Sequence, residues 1–215
     1  MSTMNFSLKV LRPEQMKKDM LKALLKRLRT NFKFFAKGAS AGTAVHIMSA
    51  IENSNTVKSL ESGKLREEFG ITNPNIMHQI VMGIINSDTL IVKEPKIAGN
   101  QISCYIRLEA IPLDLSVFNN IGEQVTEKGQ KLPWFQWLTT LGDAIIVRDF
   151  EVQAGFPTKS RTGDKIMVKG KGWRVPPEHA GSQGDNFITR AVDGVMGEIE
   201  EIIMADFKNA LMAGR

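Results

Sequence analysis

"TLIVKEPKIAGNQISCYIRLEAI", residues 89–111, is where the repeat of three to four residues that runs through the first part of the chain gives way to strand-like runs. Two β-branched runs are separated by Pro95 and the dipeptide Gly99-Asn100, a pattern that predicts a β-hairpin. What lies on either side of the hairpin decides the fold class.

Upstream, Pro13 opens a long amphipathic helix with Met16, Met20, Leu21, Leu24, Leu25, Leu28 and Phe32 at three- and four-residue steps. Gly38 and Gly42 are expected to break it, followed by a second helix at about 43–52. A third begins near Thr56 in "NTVKSLESGKLREEFG", where Val57, Leu60, Leu65 and Phe69 recur and Gly70 stops the turn. Asn73 then reads as a cap and Pro74 as the first residue of a helix with Ile76, Ile80, Val81, Ile84 and Ile85 on its apolar face.

Downstream, a polar stretch at 119–131 precedes "LPWFQWLTTLGD", a short helix with Pro133 at its start. "AIIVRDFEVQAGF" reads as one strand and Ile166–Val168 as another, with "PTKSRTGD" between them as an exposed, mobile tip. The chain ends in about 27 residues of helix, capped by Asp185 or Asn186. Ile188, Val192, Val195, Ile199, Ile202, Ile203 and Ala210 form one stripe of it and acids the other. The expectation is an α+β protein with a helical N-terminal half, a small antiparallel β-sheet and a long C-terminal helix packed on the sheet. Residues 1–42 are read as a basic N-terminal helix or extension, and 43–215 as a single α+β domain.

The 215 residues are 42% hydrophobic, enough for a core. No apolar run long enough to span a membrane is present, and the start "MSTMNFSLKVLRPEQ" lacks a secretory core, so a reducing cytoplasm is expected. Cys104 is the single cysteine, and His46, His78 and His179 offer no metal-ligand spacing with it. Neither a metal nor any other cofactor is expected. The net charge of +5 is unevenly spread. Residues 8–37 carry ten Lys or Arg against two acids, whereas 185–208 carry six acids against two bases. Such separation fits a nucleic-acid surface or head-to-tail packing of identical subunits. The basic side of the first helix is therefore read either as a solvated face or as a site for a polyanion or acidic partner.

"KIMVKGKGWRVPPEHAGSQGDNFITRAV", residues 165–192, raises the sharpest question: phosphate site or docking joint. A phosphate loop needs GxxxxGK[ST] between a strand and a helix. Here Lys171 is followed by Gly172 and Trp173, with no helix start until about 185. Cys104 lies in a strand pattern and no Ser sits on a nucleophile elbow. His179 reads as a loop residue rather than a base, since nothing beside it resembles a nucleophile. The adjacent pairs Glu67-Glu68 and Glu200-Glu201 point to different helix faces and read as solvated surface. Nothing here predicts an enzyme. Pro176-Pro177 stiffens the approach to the last helix. Gly170 and Gly172 permit close turns beside Trp173, which either fills a pocket on another surface or plugs the chain's own core.

The segments "LPWFQWLTTLGDAIIVRDFEVQAGF", "SRTGDKIMVKGKGWRVPPEHAG" and "DNFITRAV" resemble the neck, or tail-completion, proteins of tailed bacteriophages. "TVKSLESGKLREEFGI" looks like a segment of the same group. The resemblance covers about residues 56–90 and 132–213. It implies a structural virion component, made in the host bacterial cytoplasm and assembled as a homo-oligomeric ring at the head–tail junction. There it would complete the tail or join it to the portal complex, beside head-portal or connector and tail-terminator proteins. It implies no catalysis. A stand-alone nucleic-acid-binding protein using the basic first helix is the competing expectation.

Trp173 and Arg174 are expected to anchor the strand-to-helix joint. Lys159, Arg161, Lys165, Lys169 and Lys171 are expected to form a basic strip, with Lys165 and Lys169 projecting together while Ile166 and Val168 turn to the core. The strip would meet either an acidic subunit face, with Glu200 and Glu201 as counterparts, or DNA crossing the ring.

Overall fold

The computed structural model describes residues 13–73, 75–86, 90–98, 101–108, 115–125, 129–141 and 145–212. Its first element, α1 (Pro13–Glu52), is a single helix of 40 residues, about 60 Å long at 1.5 Å per residue. The expected break at Gly38 and Gly42 does not occur, so a boundary at residue 42 would fall inside a continuous helix. Both glycines serve packing instead. A Cβ at Gly42 would lie 2.9 Å from Ile202 Cγ2, and one at Gly38 would lie 3.1 Å from Asp206 Oδ2.

What comes so close is the C-terminal helix. The expected 27-residue helix is two: α6 (Phe187–Gly194) and α7 (Met196–Met212), interrupted at Val195. Asn186, not Asp185, caps α6: its side chain accepts from the backbone of Ile188 and Thr189, and Thr189 Oγ1 accepts from the Asn186 backbone N–H. This reciprocal box satisfies the first orphan amides of the helix. Helix α7 packs antiparallel along α1. Asn31 donates to the Ala210 carbonyl (2.9 Å), Phe35 meets Phe207 edge-on, and His46 faces Glu198 (3.4 Å). The long C-terminal helix thus lies principally on α1 rather than on a sheet, because small residues at 38, 39 and 42 open a groove for it there.

The far end of α1 packs on α6 and on α4 (Ile76–Asn86), burying Ile47 and Ile51. Between them run α2 (Asn55–Ser62), capped by Ser54, and α3 (Lys64–Phe69). Gly63 separates these two short helices: a Cβ there would sit 2.8 Å from Ser59 Cα. Gly70 ends α3 in the left-handed conformation, φ 66°, as the sequence predicts.

The hairpin forms from β1 (Leu90–Ala98) and β2 (Gln101–Leu108), with Ala98 opposite Gln101 and a register shift between Lys93 and Lys96 around Pro95. Proline has no amide to give to the ladder, which explains a shift at that point. Gly99 and Asn100, the expected turn, lie outside the described residues, as does Pro74. Among the described residues, the remaining strands form three more two-stranded antiparallel ladders. β3 (Gln124–Val125) pairs with β4 (Lys131–Leu132). The strand predicted over 144–156 is broken at Arg148-Asp149, where Asp149 has φ 60°. Its halves diverge: β5 (Ile145–Val147) pairs with β8 (Trp173–Arg174), and β6 (Phe150–Gln153) with β7 (Ile166–Lys169). The fold is α+β, with long first and last helices and small antiparallel sheets.

A main core unites most of these parts, and a second, smaller cluster of Phe35, Ala39 and Ala210 joins α1 to α7. The short α5 (Trp134–Thr139) is apolar almost all round, with Trp134, Phe135, Trp137 and Leu138 buried. A helix hydrophobic on every side belongs in an interior, and α5 sits between α6 and the 3-10 turn at Leu115–Phe118.

Candidate interaction surfaces and the Trp173 joint

Phe69, at the end of α3, is the hub of an aromatic cluster. Its ring lies 6.2 Å from Trp134, 5.8 Å from Trp137 and 5.3 Å from Trp173, the last two edge-on. Edge-on pairs add about 0.5–1.5 kcal/mol each beyond the area they bury. All three tryptophans of the chain are therefore packed around one phenylalanine. Trp173 is 8% exposed and is held by α3, α5 and β8. Of the two readings of this residue, the structure places it in the chain's own core. Arg174, next along β8, is exposed.

The indole N–H of Trp173 donates to Glu68 Oε2 at 3.1 Å. Only 6% of the Glu68 side chain is exposed, and Lys64 Nζ lies 3.7 Å from its other oxygen. Burial pushes the Glu68 carboxyl above the usual carboxylate range, opposed by Lys64, the Trp173 bond and Lys165. The reading of Glu67-Glu68 as solvated surface is thus corrected. Neighbours in a helix do diverge, but both carboxylates turn to protein: Glu67 takes Lys165 at 2.6 Å on one side while Glu68 takes Trp173 on the other. The signal was present at i,i+3, since Glu68 is three residues after the buried Leu65.

His179 sits in the turn after Pro176-Pro177, where His179 N and Ala180 N both donate to the Pro176 carbonyl. It is a loop residue, as the sequence predicts, and a buried one: it is 8% exposed, with Nδ1 3.0 Å from Thr56 Oγ1 on α2. Burial holds its pKa below the ordinary imidazole value, with a further lowering from Lys64 and an opposing pull from Glu178. Gly170 and Gly172 make the turn the sequence predicts. Gly170 N donates to the Asp149 carbonyl at 2.9 Å, a Cβ there would strike Glu151, and Gly172 has φ 119°.

The basic strip does not assemble as expected. Lys165 is paired with Glu67, and Arg161 Nη1 donates to the Val125 carbonyl at 2.7 Å. The facing of β7 is also the reverse of the prediction. All of Val152, Ile166, Met167 and Val168 are half-buried, but it is Met167 and its ladder partner Val152 that pack against the core. Lys159, Lys169 and Lys171 are exposed. The loop "PTKSRTGD" is closed on itself rather than left open. Phe156 N donates to the Asp164 carbonyl, Gly155 N to Asp164 Oδ1, and Thr162 N and Gly163 N to Ser160 Oγ.

Two surfaces remain after this accounting. The first is the N-terminal stretch of α1. Helix α7 ends at Met212, just past the contact of Ala210 with Asn31, so about the first 16 residues of α1, some 24 Å, extend past it. There Leu21, Leu25 and Leu28 are half or fully buried, but Met16 (48%), Met20 (58%) and Leu24 (39%) are exposed, ringed by exposed Lys17, Lys18, Lys22, Lys26 and Arg29. The second is the outer side of α7, with exposed Glu200, Glu201, Met204 and Met212. Among the described residues no group of three or more His, Cys, Asp or Glu could hold a metal ion, and no helix is long and apolar enough to cross a membrane. The chain matches no protein-family model, no curated protein and no solved structure.

Proposed function

We propose that the chain is a structural subunit of the neck of a tailed bacteriophage virion. It would form a homo-oligomeric ring that completes the tail or joins it to the head-portal complex. The observation that supports this most is where the resembling segments lie. "TVKSLESGKLREEFGI", "LPWFQWLTTLGD" and "KGWRVPPEHAG" are far apart in sequence, yet they supply Phe69, Trp134, Trp137 and Trp173 to a single cluster. The likeness therefore concerns one packed unit rather than scattered words. Two polar side chains at this unit are engaged in packing: Glu68 holds Trp173 and His179 meets Thr56. A ring also needs two unlike surfaces on each subunit, which the basic start of α1 and the acidic face of α7 supply.

Neighbours in this reading are copies of the chain, a head-portal or connector protein on one side and a tail-terminator protein on the other, with DNA passing the lumen. The test is genetic: in a phage encoding this chain, its deletion leaves filled heads and finished tails that do not join. Normal joined particles would overturn the proposal. The exposed lysines of α1 favour a second reading, binding of a nucleic acid along that helix. In that case duplex DNA is retained at low salt and affinity falls steeply as salt rises, through counterion release.

A further inference from the structure

We infer that the N-terminal stretch of α1 from one copy lies on the outer, acidic face of α7 of the next, so that copies associate head to tail. This rests on the assembly role proposed above and specifies its contact.

The occupant is argued from charge and from the helix itself. Residues 13–30 carry six bases and two acids, a net of +4; of the four acids of α7, Glu198 faces His46 and Asp206 packs beside Gly38, so its outer side presents Glu200 and Glu201 with the exposed Lys208, a net of −1. Arm against arm, or α7 against α7, would set like charges side by side, so a two-fold symmetric contact through either surface is disfavoured. Arm against α7 pairs opposite charges. Each surface also exposes methionine, Met16 and Met20 on one and Met204 and Met212 on the other, a side chain that adapts to an irregular partner.

The same face of α1 already holds a helix within the chain, through the inner, apolar side of α7. Its contacts with its own α7 run through Asn31, Phe35, Gly38, Gly42 and His46. Stepping back from Asn31 by seven and then four residues gives Leu24, Met20 and Met16, which continue the same helical face beyond the end of α7. A heterologous contact of this kind closes into a ring if the rotation between copies permits, and grows as a filament otherwise. Glu200 and Glu201 keep the partner-facing role read from the sequence, but their counterpart becomes Lys17, which shares the face of Met20 and Leu24, with Lys18 and Lys22 adding their charge from the other side of the helix, because Lys165 is engaged by Glu67 within the chain.

The test is sedimentation velocity of the purified full chain at about 100 µM, a hundredfold above the micromolar range of weak specific contacts. The wild type is expected to self-associate. K17E/K18E/K22E should weaken association about tenfold or more, E200K/E201K likewise, and the two sets combined should restore it. In a C104S background, equal amounts of Met20→Cys and Met204→Cys chains should form a mixed disulfide dimer on oxidation. Monomeric wild type, reversal without effect, failure of the combined variant to recover, or Met20–Met20 dimers as the main product would each overturn the inference. So would duplex DNA binding by the arm in a chain that stays monomeric. Arm-mediated association by a chain missing from particles would sink the neck reading alone. A chain present at the neck but insensitive to these reversals would sink the inference alone.

Discussion

Trp173 and Glu68 are joined by a 3.1 Å hydrogen bond from the indole N–H to a carboxylate that is almost wholly removed from water. The bond links β8 to α3 across the aromatic cluster, so the segment that introduces the last helices is fixed to the second quarter of the chain. Replacing Trp173 by Ala should cost about 3–5 kcal/mol. It also strips Glu68 of its donor. Urea denaturation measures this, and a variant as stable as the wild type would contradict the burial of Trp173.

His179 and Glu68 should tilt the stability curve in opposite directions. The His179 pKa is lowered on folding, so its contribution is complete above the unfolded value of about 6.5 and is lost as pH falls toward the folded value. The Glu68 pKa is raised, so its contribution is present at low pH and is lost as pH rises from the unfolded value of about 4.3 through the folded one. Glu68→Gln keeps an acceptor for Trp173 and should remove the second slope, while His179→Asn should flatten the first. Thermal melts between pH 4 and 8 read both effects.

The Lys165–Glu67 pair predicts a division of labour between Lys165, just before β7, and Lys169 at its end. Reversing Lys165 to Glu should lower the stability of the isolated chain by about 1–2 kcal/mol, since the pair is half-buried and the change sets two carboxylates together. Reversing the exposed Lys169 should leave stability within about 0.5 kcal/mol. Equal melting of the two variants would deny the pair a structural role.

Gly42 should tolerate no branched side chain. Val at this position would drive its methyls into Ile202 and part α1 from α7, at about 1–3 kcal/mol. Thr43, its neighbour, points the other way in energy. Its hydroxyl is buried with no hydrogen-bond partner, so Thr43→Val should be neutral or stabilise by up to about 1 kcal/mol.

Much of this architecture was legible in the sequence. Period, caps and turn residues located the helical part of the chain up to Asn86, the hairpin, the stop at Gly70 and a helix start at Asp185 or Asn186. What misled was reading glycine by propensity alone. Gly38 and Gly42 look like breaks until a second helix, 160 residues later, is seen to need the space. No local pattern encodes that contact. The same holds for Glu68 and Lys165, which look like solvent-facing charges but are engaged by partners distant in sequence. The break at Arg148-Asp149 was hidden because Asp tolerates a left-handed backbone that most residues avoid. Conversely, the stripe Met16, Met20, Leu24 was legible as apolar but not as uncovered, because periodicity shows which face is apolar and not what covers it.

An electron cryo-microscopy map of intact tailed particles that encode this chain decides whether it is a neck subunit. The expected map has a ring of its copies at the head–tail junction, each with α1 and α7 antiparallel and the start of α1 laid on the outer face of the neighbouring α7. Purified, infectious particles that lack the chain would contradict the neck reading.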